Sequence, residues 1–246
     1  MHIPPIRPEV LFNIGSFPVT NAILTSWISS LLLIVIALLV GLNYKRLPSG
    51  MQHIFEMVYE LFENLSKDAL GADGPKFVPL AAAFFLFIIT ANWIGILPFV
   101  GSLGFRHGEE FVPLFRGGNA DLNTTAALAL IAMTVVHVNG VKSSGLKTHL
   151  LHFRNPLEIV TELAKILSFA FRLFGNVFGG EVLLTALYAI VVLITHNATN
   201  NLFGLVGGVI AIPFVIFEFF VGFIQAFVFS MLTLSFISLF NRAGHH

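Results

Sequence analysis

The stretch Ser168-Phe-Ala-Phe-Arg172-Leu-Phe-Gly-Asn176-Val-Phe-Gly-Gly-Glu181 decides how this chain is read. It sets a guanidinium and a carboxylate inside a long apolar segment, where a charge near the bilayer centre costs at least ~2.5–3.5 kcal/mol. Such a cost is sustained only where the charge has a partner or a task. The surrounding composition makes lipid the solvent. Of 246 residues, 56% are hydrophobic, 27 are phenylalanine and only 11% are charged, too apolar for a soluble globule.

Working outward from Arg172, two apolar stretches of unusual length stand out, from about Pro156 to Thr195 and from about Leu202 to Phe240. The short polar turn His196-Asn-Ala-Thr-Asn-Asn201 separates them. At ~1.5 Å per residue each makes ~60 Å of helix, twice the ~30 Å hydrocarbon core. Each is therefore either two short spans or one oblique helix. Gly207, Gly208 and Pro213 permit a break in the second stretch, but no polar turn interrupts Leu157 to Leu193. The favoured reading is a hairpin of two long helices tilted well beyond the usual ~20°. Such helices need a large partner surface to lie along.

The rest of the chain supplies three more spans, giving an all-α membrane protein with five transmembrane helices. Residues 1–20 read as a proline-punctuated extramembrane arm. Residues 21–44 form a first span, uncharged from Asn21 to Leu42 and followed by Tyr44, Lys45 and Arg46. That basic flank follows the apolar run, the wrong polarity for a cleaved signal peptide. Over 50–70, Gln52, Glu56, Glu60, Glu63 and Lys67 recur at steps of three and four opposite Ile54, Val58 and Leu65, so an amphipathic helix along the interface is expected. A second span covers 77–97 and closes in Asn92-Trp-Ile-Gly-Ile-Leu-Pro98. Residues 98–121 read as a glycine-rich loop outside the membrane. Asp121 caps a third span over 122–139. The basic residues in the loops divide eight (Lys45, Arg46, Lys67, Lys76, Lys142, Lys147, Arg154, Arg242) against three (Arg7, Arg106, Arg116), which places the N-terminus outside and the C-terminus in the cytoplasm.

Several chemistries are excluded. The 13 basic and 13 acidic residues cancel and show no basic-aromatic interleaving, so no nucleic-acid partner is expected. The absence of cysteine removes disulfides, thiolate catalysis and Cys-based metal sites. His107, His149, His152, His245 and His246 lack metal-ligand spacing, and His137 reads as an interface residue near the inner end of its span. No phosphate-cradling loop, nucleophile elbow or HExxH pattern occurs, so neither a cofactor nor nucleotide chemistry is expected in this chain.

On a helix at ~100° per residue, Glu158, Thr161, Lys165, Ser168, Arg172, Gly175, Asn176 and Gly179 stay within one sector, while Glu181 lies about 180° away from Arg172. The two cannot form a local ion pair. In the last helix Glu218 and Gln225 share a face, with Gly222 between them. A bridge from Arg172 to Glu181 or Glu218 that merely holds the hairpin together is the plain structural alternative, but the segment offers more polar groups than one bridge needs. Ionisable groups at this depth mark ion and proton paths. Arg172 holds its charge and cannot carry a proton, whereas Glu181 and Glu218 are titratable relay candidates.

These motifs carry a resemblance. Arg172-Leu-Phe-Gly-Asn176 followed by Gly180-Glu181, Gln225-Ala-Phe-Val-Phe, Asn92-Trp-Ile-Gly-Ile-Leu-Pro98 and Asp121-Leu-Asn-Thr-Thr125 are similar, in order, to subunit a of F-type ATP synthases. The resemblance implies a stator subunit whose oblique hairpin lies against a rotating ring of c subunits, each with a membrane carboxylate, and which also meets the peripheral-stalk b subunits and the lipid bilayer. It implies that Arg172 is the essential arginine that meets the ring carboxylate. Glu181, Glu218, Gln225 and Asn176 would line the outer half-channel. Asn92 and Asp121 are candidates to extend it, against the plainer reading of an asparagine near a span's end and an N-capping aspartate as structural residues. Glu158, Thr161 and Ser168 would lie toward the cytoplasmic one. Some family members carry histidine where Glu218 stands. Without a transit peptide in sight, the bacterial plasma (inner) membrane is the expected location. A stand-alone ion-coupled secondary transporter is the rival reading, but it calls for paired broken helices in two repeats, and no internal repeat is found. A purely structural scaffold would tolerate conservative replacement of Arg172.

Overall fold

The computed structural model describes residues 5–47, 50–97, 103–107, 110–196 and 202–243. Pro98, turn residues 197–201 and the His245-His246 tail lie outside the described residues. The elements in chain order are β1 (Val10–Ile14), β2 (Phe17–Thr20), α1 (Asn21–Leu42), α2 (Met51–Leu70), α3 (Val78–Ile96), β3 (Gly104–His107), β4 (Glu110–Pro113), α4 (Leu122–Ser144), α5 (Leu146–His152), α6 (Pro156–His196) and α7 (Leu202–Ala243). Among the described residues, five helical stretches are long and apolar enough to cross a membrane: α1, the run Met51–Ile96 whose apolar part is α3, α4, α6 and α7.

Local chemistry fixes the helix ends. Thr20 caps α1, its side chain accepting from the Ile23 amide at 3.3 Å, and the Asp121 carboxylate accepts from the Asn123 amide at 3.0 Å to cap α4. Asn155 accepts from the Leu157 amide at 3.1 Å, with Pro156 opening α6, where a missing N–H costs nothing. Within α1 the hydroxyls of Thr25, Ser26, Ser29 and Ser30 each donate to the carbonyl four residues back, so none enters the apolar layer unsatisfied.

Helix α6 has 41 residues and α7 has 42, each unbroken, and α7 runs through Pro213. The alternative of two short spans in each stretch is therefore not what forms. To keep ~60 Å of apolar helix in a ~30 Å core, such helices must lie steeply oblique.

The core joins α3, α4, α6 and α7, with Phe62 of α2 packed in from one end. Phe229 of α7 sits at its centre, edge-on to Phe84 of α3 at 5.2 Å and to Phe169 of α6 at 4.9 Å. Ala81, Ala129, Ala132, Ala170 and Ala226 are buried around it, and these small side chains bring the helix backbones close. Only part of α2 packs inward: Phe62, Gln52 and Ser66 are buried, while Ile54, Met57 and Tyr59 remain exposed.

Two segments differ from their sequence reading. Within the arm over 1–20, Val10 to Thr20 folds into the antiparallel β1–β2 hairpin, turning at Gly15, whose φ of 62° is the left-handed conformation that a tight hairpin turn requires. The loop over 98–121 forms a second hairpin, β3–β4, and then does not stay outside the helices: Arg116 to Asp121 are all buried against α1, α3 and α6. Glycine makes the insertion fit. A Cβ on Gly95 would meet Gly117 Cα at 2.5 Å, and one on Gly118 would meet Ser26 Oγ at 2.6 Å.

Candidate functional site

The polar face of α6 opens to the surface at Arg172. Its guanidinium is exposed and donates to Ser168 Oγ at 3.3 Å, one turn back, and among the described residues it makes no ion pair. Glu181 and Glu218 do not neutralise it, so the hairpin-bridge alternative has no support in the geometry.

A second polar centre lies between α6 and α7. Asn176 Nδ2 donates to Gln225 Oε1 at 2.6 Å, joining the two long helices. Both side chains line a small cavity with Asn92, Glu218 and Gly222, walled by Ile96, Val177 and Val221. Its volume of about 10 Å³ is the space that about one water needs, and the lining offers it several polar partners. Glu218 lies against the backbone of Gly180, where a Cβ would come within 2.4 Å of its Oε1, so glycine at 180 is what lets the carboxyl approach α6. Asn92 is held from two sides: Oδ1 accepts from Asn119 Nδ2 at 2.6 Å, and Nδ2 donates to the Gly222 carbonyl at 3.4 Å. Four expected outer-path residues, Asn92, Asn176, Glu218 and Gln225, thus share one cavity.

Glu181 has a partner that sequence reasoning did not offer. Arg116, delivered by the inserted loop and 5% exposed, donates from Nε to Glu181 Oε2 at 2.9 Å, with its guanidinium 5.8 Å from the Phe178 ring centroid. Its backbone amide donates to Thr25 Oγ1 at 3.3 Å, which fixes the loop to α1. This arginine stands beside two glycines in a stretch without periodicity, so no pattern marked it as buried. Asp121 lies at the end of the same insertion but does not line the cavity. Its carboxylate serves the α4 cap, accepting from Asn123 Nδ2 at 3.1 Å as well as from the amide.

On the other side of Arg172, Glu158 stands half-buried in the first turn of α6, and exposed Thr161 donates to the Leu157 carbonyl at 2.9 Å. Ser168 is engaged by Arg172. The structure brings Ser168 to Arg172, and it does not join Glu158 or Thr161 to that pair. Lys165 leaves the stripe and pairs with buried Glu162 at 2.7 Å. Among the described residues, no group of three or more histidines or carboxylates could hold a metal ion.

These features define a polytopic all-α membrane protein that gathers polar and ionisable groups between its helices and leaves Arg172 exposed on the polar face of a crossing helix. The family model described as ATP synthase A chain matches residues 23–238. The chain is 30% identical over 246 residues to ATP synthase subunit a of Moorella thermoacetica, covering 98% of this chain and 99% of that one. It is 33% identical over 240 residues to ATP synthase subunit a of Desulforamulus reducens, covering 92% and 82%. The chain belongs to the ATP synthase subunit a family. Its role is that of the proton-translocating stator subunit in the membrane sector of an F-type ATP synthase, working with the other subunits of that complex.

Proposed function

We propose that this subunit moves protons through two offset half-channels that meet at Arg172. A carboxylate on each c subunit of the rotor ring passes Arg172 between losing a proton to one half-channel and gaining one from the other. The observation that carries the reading is the contrast between cations: Arg116 and Lys165 are each held by a carboxylate, whereas Arg172 is exposed and makes no ion pair among the described residues. A fixed cation on a lipid-depth face calls for an anion from outside the chain. Arg116 is too buried to meet one.

The outer half-channel runs past Glu181 and through the cavity at Asn92, Asn176, Glu218 and Gln225, with a water at its centre passing protons between side chains. Asp121 supports it indirectly through the α4 cap. The cytoplasmic half-channel opens along Ser168, Thr161 and Glu158. Arg172 does not transfer protons. It holds the passing ring carboxylate ionised, by the opposite-charge effect, and bars protons from running directly between the half-channels. Nucleotide chemistry belongs to other subunits. The exposed side of α2 lies along the membrane interface beside the peripheral-stalk b subunits. The subunit sits in the bacterial inner membrane with its N-terminus outside and its C-terminus in the cytoplasm.

Two measurements check this reading. In inverted vesicles carrying the assembled complex, E218Q is expected to lower ATP-driven proton pumping by about ten-fold, because an amide cannot relay a proton through the site. Unchanged pumping removes Glu218 from the path. A cysteine replacing Lys147, in α5, is expected to react with an impermeant maleimide only from the cytoplasmic side. Labelling from outside reverses the orientation.

A further inference from the structure

Lys165 and Arg172 stand seven residues apart, about 20° apart around α6, yet their side chains go opposite ways. Arg172 remains exposed with Ser168 as its partner. Lys165 folds inward: Nζ lies 2.7 Å from Glu162 Oε1 and sits over two aromatic rings of α7, 5.1 Å from the Phe236 centroid and 5.8 Å from that of Phe240. Glu162 is 5% exposed, and its second oxygen lies 3.6 Å from His137 Nε2 on α4. One buried carboxylate therefore sits beside α4 and anchors the lysine whose head packs on α7.

We infer that Glu162 is a positioning residue that withdraws Lys165 from the rotor-facing stripe and neutralises it, leaving Arg172 as the fixed cation that a ring carboxylate meets. The inference rests on the stator reading above. Without the Glu162 charge, the ammonium would be held only by the aromatic faces and at most a neutral amide acceptor, a weaker hold than a carboxylate, and its flexible stem allows it to swing out onto the stripe beside Ser168. There it would present a second cation two turns cytoplasmic of Arg172, in the half-channel itself. A ring carboxylate would then be held ionised at both places, and protons would be repelled from the cytoplasmic path. The withdrawal has a geometric origin. Glu162 lies one turn before Lys165 and about 60° around toward the buried side, so a carboxylate there draws the lysine inward.

The test uses the assembled complex in proteoliposomes under an imposed proton gradient. E162Q is expected to cut ATP synthesis by about ten-fold with the subunit still incorporated, and E162Q/K165Q to restore it to within about two-fold of the parent. A purely structural role for Glu162 does not predict that removing a second charge repairs function. Parental synthesis by E162Q overturns the inference. So does an assembled E162Q/K165Q that is as slow as E162Q, since Glu162 would then itself be part of the proton path. If E162Q is not incorporated, the double variant decides alone: coupled synthesis supports the inference and uncoupled assembly overturns it. R172A in the same membranes separates the two levels. Normal synthesis by R172A defeats the stator reading together with the inference, whereas its loss alongside an unrescued double variant defeats the inference only.

Discussion

Replacing Arg172 by alanine is expected to lower proton-driven ATP synthesis by at least about 100-fold while leaving the subunit assembled. The side chain is exposed and holds only a 3.3 Å hydrogen bond to Ser168, so its removal opens no cavity and orphans no buried group. What is lost is intermolecular. An opposite charge about 4 Å from a carboxylate contributes ~4 kcal/mol at an effective dielectric of ~20, near a thousand-fold in occupancy of the ionised state. R172K keeps the charge but not the planar fork, and a loss of about ten-fold or more is expected because a point charge on a flexible stem places a carboxylate less well. Gradient-driven synthesis, normalised to subunit incorporation measured by immunoblot, reads both variants. Parental synthesis by R172K would indicate that charge alone suffices.

The second large effect falls on Arg116. Methionine at 116 fills similar space but leaves Glu181 inside the helix bundle without its counter-charge, and breaking one side of a buried pair costs about 3–5 kcal/mol. The abundance and thermal stability of the assembled subunit are expected to drop sharply. R116M/E181M removes both charges and is expected to recover most of that stability, since a buried pair replaced by apolar groups is close to neutral. Proton flux is expected to stay low in the double variant, because the proposed outer path runs past Glu181. Stability therefore separates from transport at this pair. If R116M is as abundant and heat-resistant as the parent, the Arg116–Glu181 bridge does not hold the loop in place.

Much of this architecture is legible in the chain because lipid imposes simple rules. Long uncharged runs must be helices, since every backbone group has to be satisfied within its own segment. The 3.6-residue period then separates Arg172 from Glu181 without any coordinates. Asn176 and Gln225 share a half-channel only through the resemblance to subunit a, and the structure joins them by a direct hydrogen bond. The inserted loop was not legible. Arg116 to Asp121 are buried by close approach at Gly95, Gly117 and Gly118, and glycines in a polar loop look the same whether they mark an exposed turn or a tight passage between helices. The partner of Glu181 was hidden with them. The helical angle puts Lys165 on the stripe, but Glu162, buried by contact with other helices, decides where its head group goes. Asp121 shows the reverse: its capping role followed from Asp-Leu-Asn-Thr-Thr alone, and the structure uses its carboxylate for the cap.

If the Arg172 face of α6 meets the rotor carboxylate, a disulfide between rotor and stator forms only from that face. This chain has no cysteine of its own, so a single introduced thiol in it is unambiguous. S168C lies on the exposed face one turn from Arg172, and A170C lies on the buried side of the same helix. Each would be paired with a cysteine one turn from the membrane carboxylate of the c subunit and oxidised in the assembled complex. A disulfide is expected at S168C and none at A170C. Cross-linking from A170C with none from S168C would place the rotor on the other side of the helix and contradict it.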